Sequence, residues 1–306
     1  MTPLPADAAS READCHRDRP LDPRPAWRLL ITGPAEGAYN MALDEALLDG
    51  AIAGGRPVLR IYAWQPPAVS LGYFQQLDEA IDRAEIARRG FGLVRRPTGG
   101  RAILHKDEVT YSVAVRHRDL AAGGSLMGSY RTISRAIEAG LQLLGVAAEL
   151  AERSGHAKHQ TKHNLPTVCF AQPAKVDMVV GSRKIVGSAQ TRRAGALLQH
   201  GSIPLSIDAR EHLAVMPGAS STEAEAGGPQ LDELACGIAD ILGRTPSFEE
   251  TAQALAAGFA ETLAIELQPD QVSAAEDRAA RELMAEKYSN AAWTAKPGSR
   301  KSAPDA

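Results

Sequence analysis

Arg95 to His105 reads RRPTGGRAILH, a glycine pair set between two stretches of strand character. Gly92–Arg96 before it and Glu108–Val115 after it are rich in apolar and β-branched residues, so the spacing predicts two strands joined by the glycine loop Thr98-Gly99-Gly100-Arg101. Adjacent glycines let the backbone come close to a ligand, and the exposed amides of such a loop can receive a carboxylate, phosphate or thioester oxygen. Taken alone, the pair is also what a plain turn between strands looks like.

Outward from this loop, Val58–Trp64 (VLRIYAW) alternates apolar and polar residues as a strand does and is ended by Gln65-Pro66-Pro67. Tyr39–Leu48 (YNMALDEALL) has helical spacing, with Met41, Ala42, Leu47 and Leu48 sharing one face of a half-buried helix. Asp78–Arg89 reads as an amphipathic helix ended by Gly90, and Tyr130–Leu144 as another ended by Gly145. Lys175–Val180 and Lys184–Val186 suggest a hairpin turning at Gly181-Ser182, and Ala196–Leu205 continues the β character. Beyond Asp208 the chain turns Ala-rich, with helices expected over Phe248–Leu263 and Ser273–Glu286. Strands and helices in irregular order favour an α+β fold, a mixed β-sheet core flanked by helices, over a doubly wound sheet. No GxxxxGK[ST] or GxGxxG string supports a nucleotide fold. The expected layout is a disordered leader over 1–24, a main domain over 25–245, a helical extension over 246–290 and a flexible tail over 291–306.

With 306 residues, 44% of them hydrophobic and 23% charged, the chain can bury a substantial core. It lacks an apolar run long enough to span a membrane and a secretory start, which predicts a soluble, cytoplasmic protein with no membrane partner. Cys15, Cys169 and Cys236 are an odd number at wide spacing and should be free thiols. His156, His159 and His163 sit among Lys158, Lys162, Gly155 and Pro166 with no acidic neighbour, so a polar loop is expected and no metal. Arg88 to Lys106 holds six basic residues and no acidic one, and Arg153 to Arg193 holds eight against Asp177 alone. Such stretches are either solvated faces or docking surfaces for acidic partners. Few aromatics accompany them and the chain's pI is about 6.3, which argues against nucleic acid.

Two further strings, KIVGSAQTRR (Lys184–Arg193) and LLQHGSIPL (Leu197–Leu205), complete a pattern. With YNMALDEALL, VLRIYAW, RRPTGGRAILH and the following TYSV (Thr110–Val113), they resemble the catalytic domain shared by lipoate-protein ligases, octanoyltransferases and, more distantly, biotin-protein ligases. The resemblance covers roughly Trp27 to Leu205, with a weaker echo in EKYSNAAWT, Glu286–Thr294. It implies a mixed-sheet α+β fold in which the glycine loop and a lysine line a tunnel for an acyl chain. Where a ligase would show Asn-Asp ahead of the lysine strand, this chain has Val168-Cys169-Phe170, and it has Gly99-Gly100-Arg101 where ligases commonly have three glycines. Both features are similar to the octanoyltransferase branch called the LipM type.

That likeness implies Cys169 as nucleophile and Lys184 as the cation beside it. It also implies an acyl site drawn from Arg95, Arg96, Thr98, Gly99, Gly100, Arg101, His105, Gly187, Ser188, Ala189, His200 and Gly201. The implied reaction moves octanoyl from octanoyl-acyl carrier protein to a lysine of a lipoyl domain, in the glycine cleavage H protein or a 2-oxoacid dehydrogenase transacylase subunit, with no cofactor. Chemistry supports the cysteine independently: acyl exchange between a thioester and a thiolate is close to thermoneutral, so a cysteine holds an acyl group without ATP, and nearby positive charge favours its thiolate. Cys15 in the leader and Cys236 in an apolar helical stretch compete poorly. His105 and His200 flank the expected tunnel either as satisfied interior histidines or as proton carriers. An ATP-dependent lipoate-protein ligase, an octanoyl amidotransferase working between lipoyl domains, and a module that merely binds acylated domains remain as alternatives.

Overall fold

The computed structural model describes residues 24–120, 124–152, 176–216 and 231–296. Its strands are β1 (Ala26–Ala35), β2 (Val58–Trp64), β3 (Ala68–Leu71), β4 (Gly92–Arg95), β5 (Ile103–His105), β6 (Glu108–Arg116), β7 (Glu149–Glu152), β8 (Val176–Val180), β9 (Arg183–Arg193), β10 (Ala196–Pro204) and β11 (Glu266–Pro269). The helices are α1 (Gly37–Ile52), α2 (Leu77–Ala80), α3 (Arg83–Arg88), α4 (Leu126–Leu143), α5 (Ala209–Ala214), α6 (Leu231–Leu234), α7 (Ile238–Leu242), α8 (Phe248–Thr262), α9 (Ala274–Leu283) and α10 (Ala291–Ala295). Eight strands form one sheet in the order β11-β1-β2-β6-β10-β9-β8-β7, and β4-β3-β5 form a second. Parallel pairs (β1 with β2 and β11, β3 with β4) stand beside antiparallel ones, giving the mixed sheet expected of the α+β class.

The main sheet carries cores on both faces. One, with Ile61, Tyr111, Val113 and Ile203, packs under α4 and α8; the other, with Tyr62, Trp64 and Leu198, packs under α1. The helix at α1 is longer and more deeply buried than its spacing suggests. Every residue from Asn40 to Leu48 is buried, because the sheet lies on one side and α9 with the turn that follows it lies on the other. Its polar residues are therefore interior groups, and each has partners: Asn40 Nδ2 donates to the carbonyls of Ala35 and Ala63.

Two expectations fail locally. The single helix over Asp78–Arg89 is two short helices, since Ile81 is extended and Asp82 caps α3 by accepting from the Glu85 amide. The glycine loop does not lead directly from Gly92–Arg96 to Glu108–Val115. It leads into β5, and β4 and β5 both flank β3 in the small sheet while β6 lies in the main sheet. The loop thus sits at the junction between the sheets. The turn at Gly181-Ser182 joins β8 and β9 as its sequence suggests, and α4 begins a turn early because Ser125 caps it through the Gly128 amide. Residues after 246 add β11 beside β1 and lay α9 across α1. Among the described residues no helix is long and apolar enough to cross a membrane.

Candidate active site

Between the two sheets, beside the first turn of α1, runs a slot of about 430 Å³ counting its open mouth. Tyr62, Trp64 and Thr110 line it from the main sheet and Ser70, Ile103 and His105 from the small one. Eight of the residues named from the sequence meet here: Arg96, Gly100, His105, Gly187, Ser188, Ala189, His200 and Gly201. The β-ladder explains the convergence, because His200 pairs with Ala189 and Gly201 with both Ser188 and Tyr111. Gly201 has to be glycine: an added Cβ would stand 2.6 Å from Tyr111 Cε1 and 2.9 Å from the Gly187 carbonyl.

Two buried acid–histidine pairs fix the walls. Asp44 accepts from Arg60 Nη1 and Ser112 Oγ on Oδ1, both at 2.8 Å, and from Tyr62 OH and His200 Nδ1 on Oδ2, both at 3.0 Å. Burial pushes its carboxyl up, but the bond from His200 and the charge of Arg60 outweigh that and hold it below the ordinary range. With Nδ1 donating to the carboxylate, His200 Nε2 accepts from Thr98 Oγ1 at 2.7 Å, which ties the glycine loop to the main sheet. Burial holds His200 below its ordinary pKa despite Asp44, so it is neutral. In the second pair, His105 Nδ1 donates to Glu108 Oε1 at 2.8 Å and Nε2 accepts from Ser70 Oγ at 2.8 Å. The ring stacks on Trp64 at 3.9 Å and 7°, and Glu108 also accepts from Ser202 and Thr110. Both nitrogens of each histidine are engaged, so these side chains act here as braces of the slot.

Arg96 builds the loop itself. Its guanidinium donates to the carbonyls of Ser70, Gly99 and Arg101, and Gly100 adopts φ +93°, where a Cβ would lie 2.7 Å from that guanidinium. Arg95 points elsewhere. Fully buried, it donates to the carbonyls of Gly72, Tyr73 and Gln75 and to those of Trp293 and Thr294, while Trp293 Nε1 donates back to the Arg95 carbonyl. This clasp accounts for the EKYSNAAWT string, since it holds α10 against the loop. Gly99 faces a neighbouring cavity, and Arg101 contributes a backbone carbonyl to Arg96.

Lys184 is buried at the start of β9. Val186 stands opposite Met178 and Lys184 opposite Val179, so Ile185 is an extra residue in the ladder, and Ile185 and Val186 both enter the core that holds Met178. A bulge of this kind shifts the pleat by one, which puts the Lys184 position out of phase with Ile185 and Val186; its side chain is not among those lining the slot. The backbone there is held by Cys236, whose amide donates to the Lys184 carbonyl. Cys236 lies after α6 in extended chain, not in a helix, and burial raises its thiol pKa. Cys169, Cys15 and the three histidines at 156, 159 and 163 lie outside the described residues.

The basic stretch Arg88–Lys106 is not a bare positive face. Arg88 and Arg89 pair with Glu85, Lys106 pairs with Glu211, and Arg95 and Arg96 are buried on carbonyls. A linear run of cations says nothing about how many are consumed internally, and here most are. Composition also gave no sign of Asp44, Glu108, Ser70 and Ser202, which complete the site. Their only trace is acidic and hydroxyl residues placed inside otherwise apolar strings.

Residues 36–260 match the model of the lipoyl protein ligase A/B catalytic domain. The chain belongs to that family. Among the lipoyl protein ligase A/B relatives, an octanoyltransferase LipM of Kyrpidia tusciae is 42% identical over 87% of this chain and 97% of its own length. One of Symbiobacterium thermophilum is likewise 42% identical over 87% and 97%. Among solved structures, a lipoate-protein ligase A bound with ATP superposes with a TM-score of 0.73 at 28% identity, over 88% of this chain and 98% of its own. A bi-partite lipoate protein ligase from Thermoplasma acidophilum gives 0.72 at 28% identity, over 90% and 98%.

Proposed function

We propose that this protein is an octanoyltransferase of protein lipoylation, moving octanoyl from a thioester donor to the lysine of a lipoyl domain. The observation that carries the reading is 42% identity along 97% of a relative named an octanoyltransferase, well above the 28% shared with ligases. The slot agrees in kind: it is narrow, largely apolar and braced by satisfied polar pairs, as a site for an alkyl chain should be.

In this reading octanoyl-acyl carrier protein is the donor, and the thiolate of Cys169 attacks its thioester carbonyl. The new C–S bond forms as the donor's C–S bond breaks, and the released donor thiol takes up a proton. The lysine amine of the incoming lipoyl domain then attacks the acyl-cysteine. Its C–N bond forms, the Cys169 thiolate leaves, and the surplus amine proton goes to solvent. Lys184 and the amide at Gly100 stabilise the oxyanion of each tetrahedral intermediate, while Gly99, expected beside it, faces the neighbouring cavity. No ATP is consumed and no cofactor is needed. In this reading residues 25–245 carry this chemistry in the cytoplasm and the helical extension over 246–290 braces them, together with α10, a helix clasped by Arg95 at the start of the segment 291–306 expected as a flexible tail.

The test mixes the purified protein with octanoyl-acyl carrier protein and an apo lipoyl domain without ATP, and follows the lipoyl domain by mass. Octanoylation is expected. A requirement for ATP and free octanoate would replace the reading with a ligase, and transfer only from an already octanoylated lipoyl domain would replace it with an amidotransferase.

A further inference from the structure

Next to the slot lies a second, larger cavity, about 1210 Å³ counting its open mouth. Three elements run from one into the other. On α1, Met41 lines the slot while Glu45 and Leu48, one and two turns on, line the cavity; in the glycine loop Gly100 faces the slot and Gly99 the cavity; on β9, Ala189 gives way to Gln190. The cavity's remaining surface is mostly apolar, and two of the four exposed large hydrophobic side chains in the described residues, Phe74 and Leu126, stand on it. Exposed apolar side chains gathered at one concavity mark a ligand surface more often than chance packing does. Of its charged members, Glu45 accepts from Lys287 and Tyr288 and pairs with Arg193, while Arg192 is held by the carbonyls of Gly124 and Ser125. Trp293, clasped through Arg95, closes the far side.

We infer that this cavity is a second acyl subsite, receiving the methyl end of fatty acyl groups longer than octanoyl. The inference rests on the proposed reaction centre at Cys169 and Lys184, because it is the order along β9 that sets direction: Lys184, then the slot at Gly187–Ala189, then the cavity from Gln190 to Arg193. An acyl chain fixed at the Lys184 end therefore points its methyl group at the cavity. Lengths agree. The two residue steps from Gly187 to Ala189 span roughly 7 Å, and the seven C–C bonds of an extended octanoyl chain span roughly 9 Å at about 1.25 Å of advance per bond. Octanoyl with its carbonyl at the Gly187 end fills the slot and brings its terminal methyl roughly 2 Å past the boundary. Four further methylenes add about 5 Å and carry dodecanoyl into the cavity, onto Phe74 and Leu126.

The experiment compares octanoyl and dodecanoyl thioesters of acyl carrier protein as donors for the full-length protein, with an apo lipoyl domain as acceptor. Wild type is expected to use dodecanoyl within about tenfold of octanoyl in kcat/KM. Phe74→Asp and Leu126→Asp, both at exposed positions where a charge does not threaten folding, are expected to lower the dodecanoyl-to-octanoyl ratio on the order of tenfold, since each removes apolar surface from the added methylenes. Thermal melts establish that both variants are folded. Rejection of dodecanoyl by wild type, or a ratio unmoved in both variants, overturns the subsite while leaving octanoyl transfer intact. Absence of octanoyl transfer in wild type overturns the proposed function instead.

Discussion

Replacing Asp44 with Asn removes the one anion that compensates a fully buried guanidinium. Arg60 and Asp44 are both inaccessible to solvent, and the carboxylate gathers Ser112, Tyr62 and His200 besides Arg60. Breaking a buried pair by deleting one partner costs about 3–5 kcal/mol, because the remaining charge is left without either water or counter-ion. Against a total stability of about 5–15 kcal/mol, that is a large fraction. Urea unfolding should show the midpoint falling in proportion, and the freed His200 should loosen Thr98, so octanoyl transfer should weaken even where the variant is folded. The pH dependence has a definite sign. A carboxyl held below its ordinary value of 3.8 stabilises the fold above that pH, and this contribution is lost as pH falls through the lower folded value. Wild type should therefore lose this stabilisation only in strong acid, and the variant should lack it throughout. A midpoint change worth less than about 1 kcal/mol, with transfer unimpaired, would refute the argument.

Gly201→Ala should destabilise by about 1–3 kcal/mol and raise the KM for octanoyl donor, as its methyl would meet Tyr111, Ser188 and Gly187; a melt and a saturation curve like wild type would exclude that crowding. His200 and His212 are held by burial below their ordinary pKa of 6.5, so the unfolded chain binds more protons than the folded one. Stability should be full above about 6.5 and decline as pH falls below it, with His212→Gln flattening the slope in chemical denaturation. Lys184→Ala should slow acyl-enzyme formation on the order of a hundredfold in rapid-quench experiments, and an unchanged rate would remove the lysine from the mechanism.

Much of the site was legible because its residues come in strings that a β-ladder brings side by side. KIVGSAQTRR and LLQHGSIPL are adjacent antiparallel strands, so Gly187, Ser188 and Ala189 stand opposite Ser202, Gly201 and His200 in turn once the strands pair. Partners drawn from distant elements were not legible. Asp44 lies 156 residues before His200, and nothing in the pattern of α1 distinguishes a buried carboxylate from a solvated one. Arg95 and Arg96 are consecutive and chemically identical, yet one clasps the C-terminal segment and the other the glycine loop, a division set by the alternation of β4 and by the chain arriving from residue 293. The bulge at Ile185 is equally silent in sequence. It depends on the register of β8 against β9, which a one-residue count cannot reveal.

The central claim is that acyl transfer passes through Cys169, and intact-mass measurement tests it most directly. The protein is mixed with excess octanoyl-acyl carrier protein and no ATP, quenched in acid, and weighed before and after addition of an apo lipoyl domain. The account predicts one octanoyl group on the enzyme, mapped by peptide digestion to Cys169, absent in Cys169→Ser, and discharged onto the lipoyl domain's lysine. An adduct on Cys15 or Cys236, or a Cys169→Ser protein that still transfers octanoyl, would contradict it.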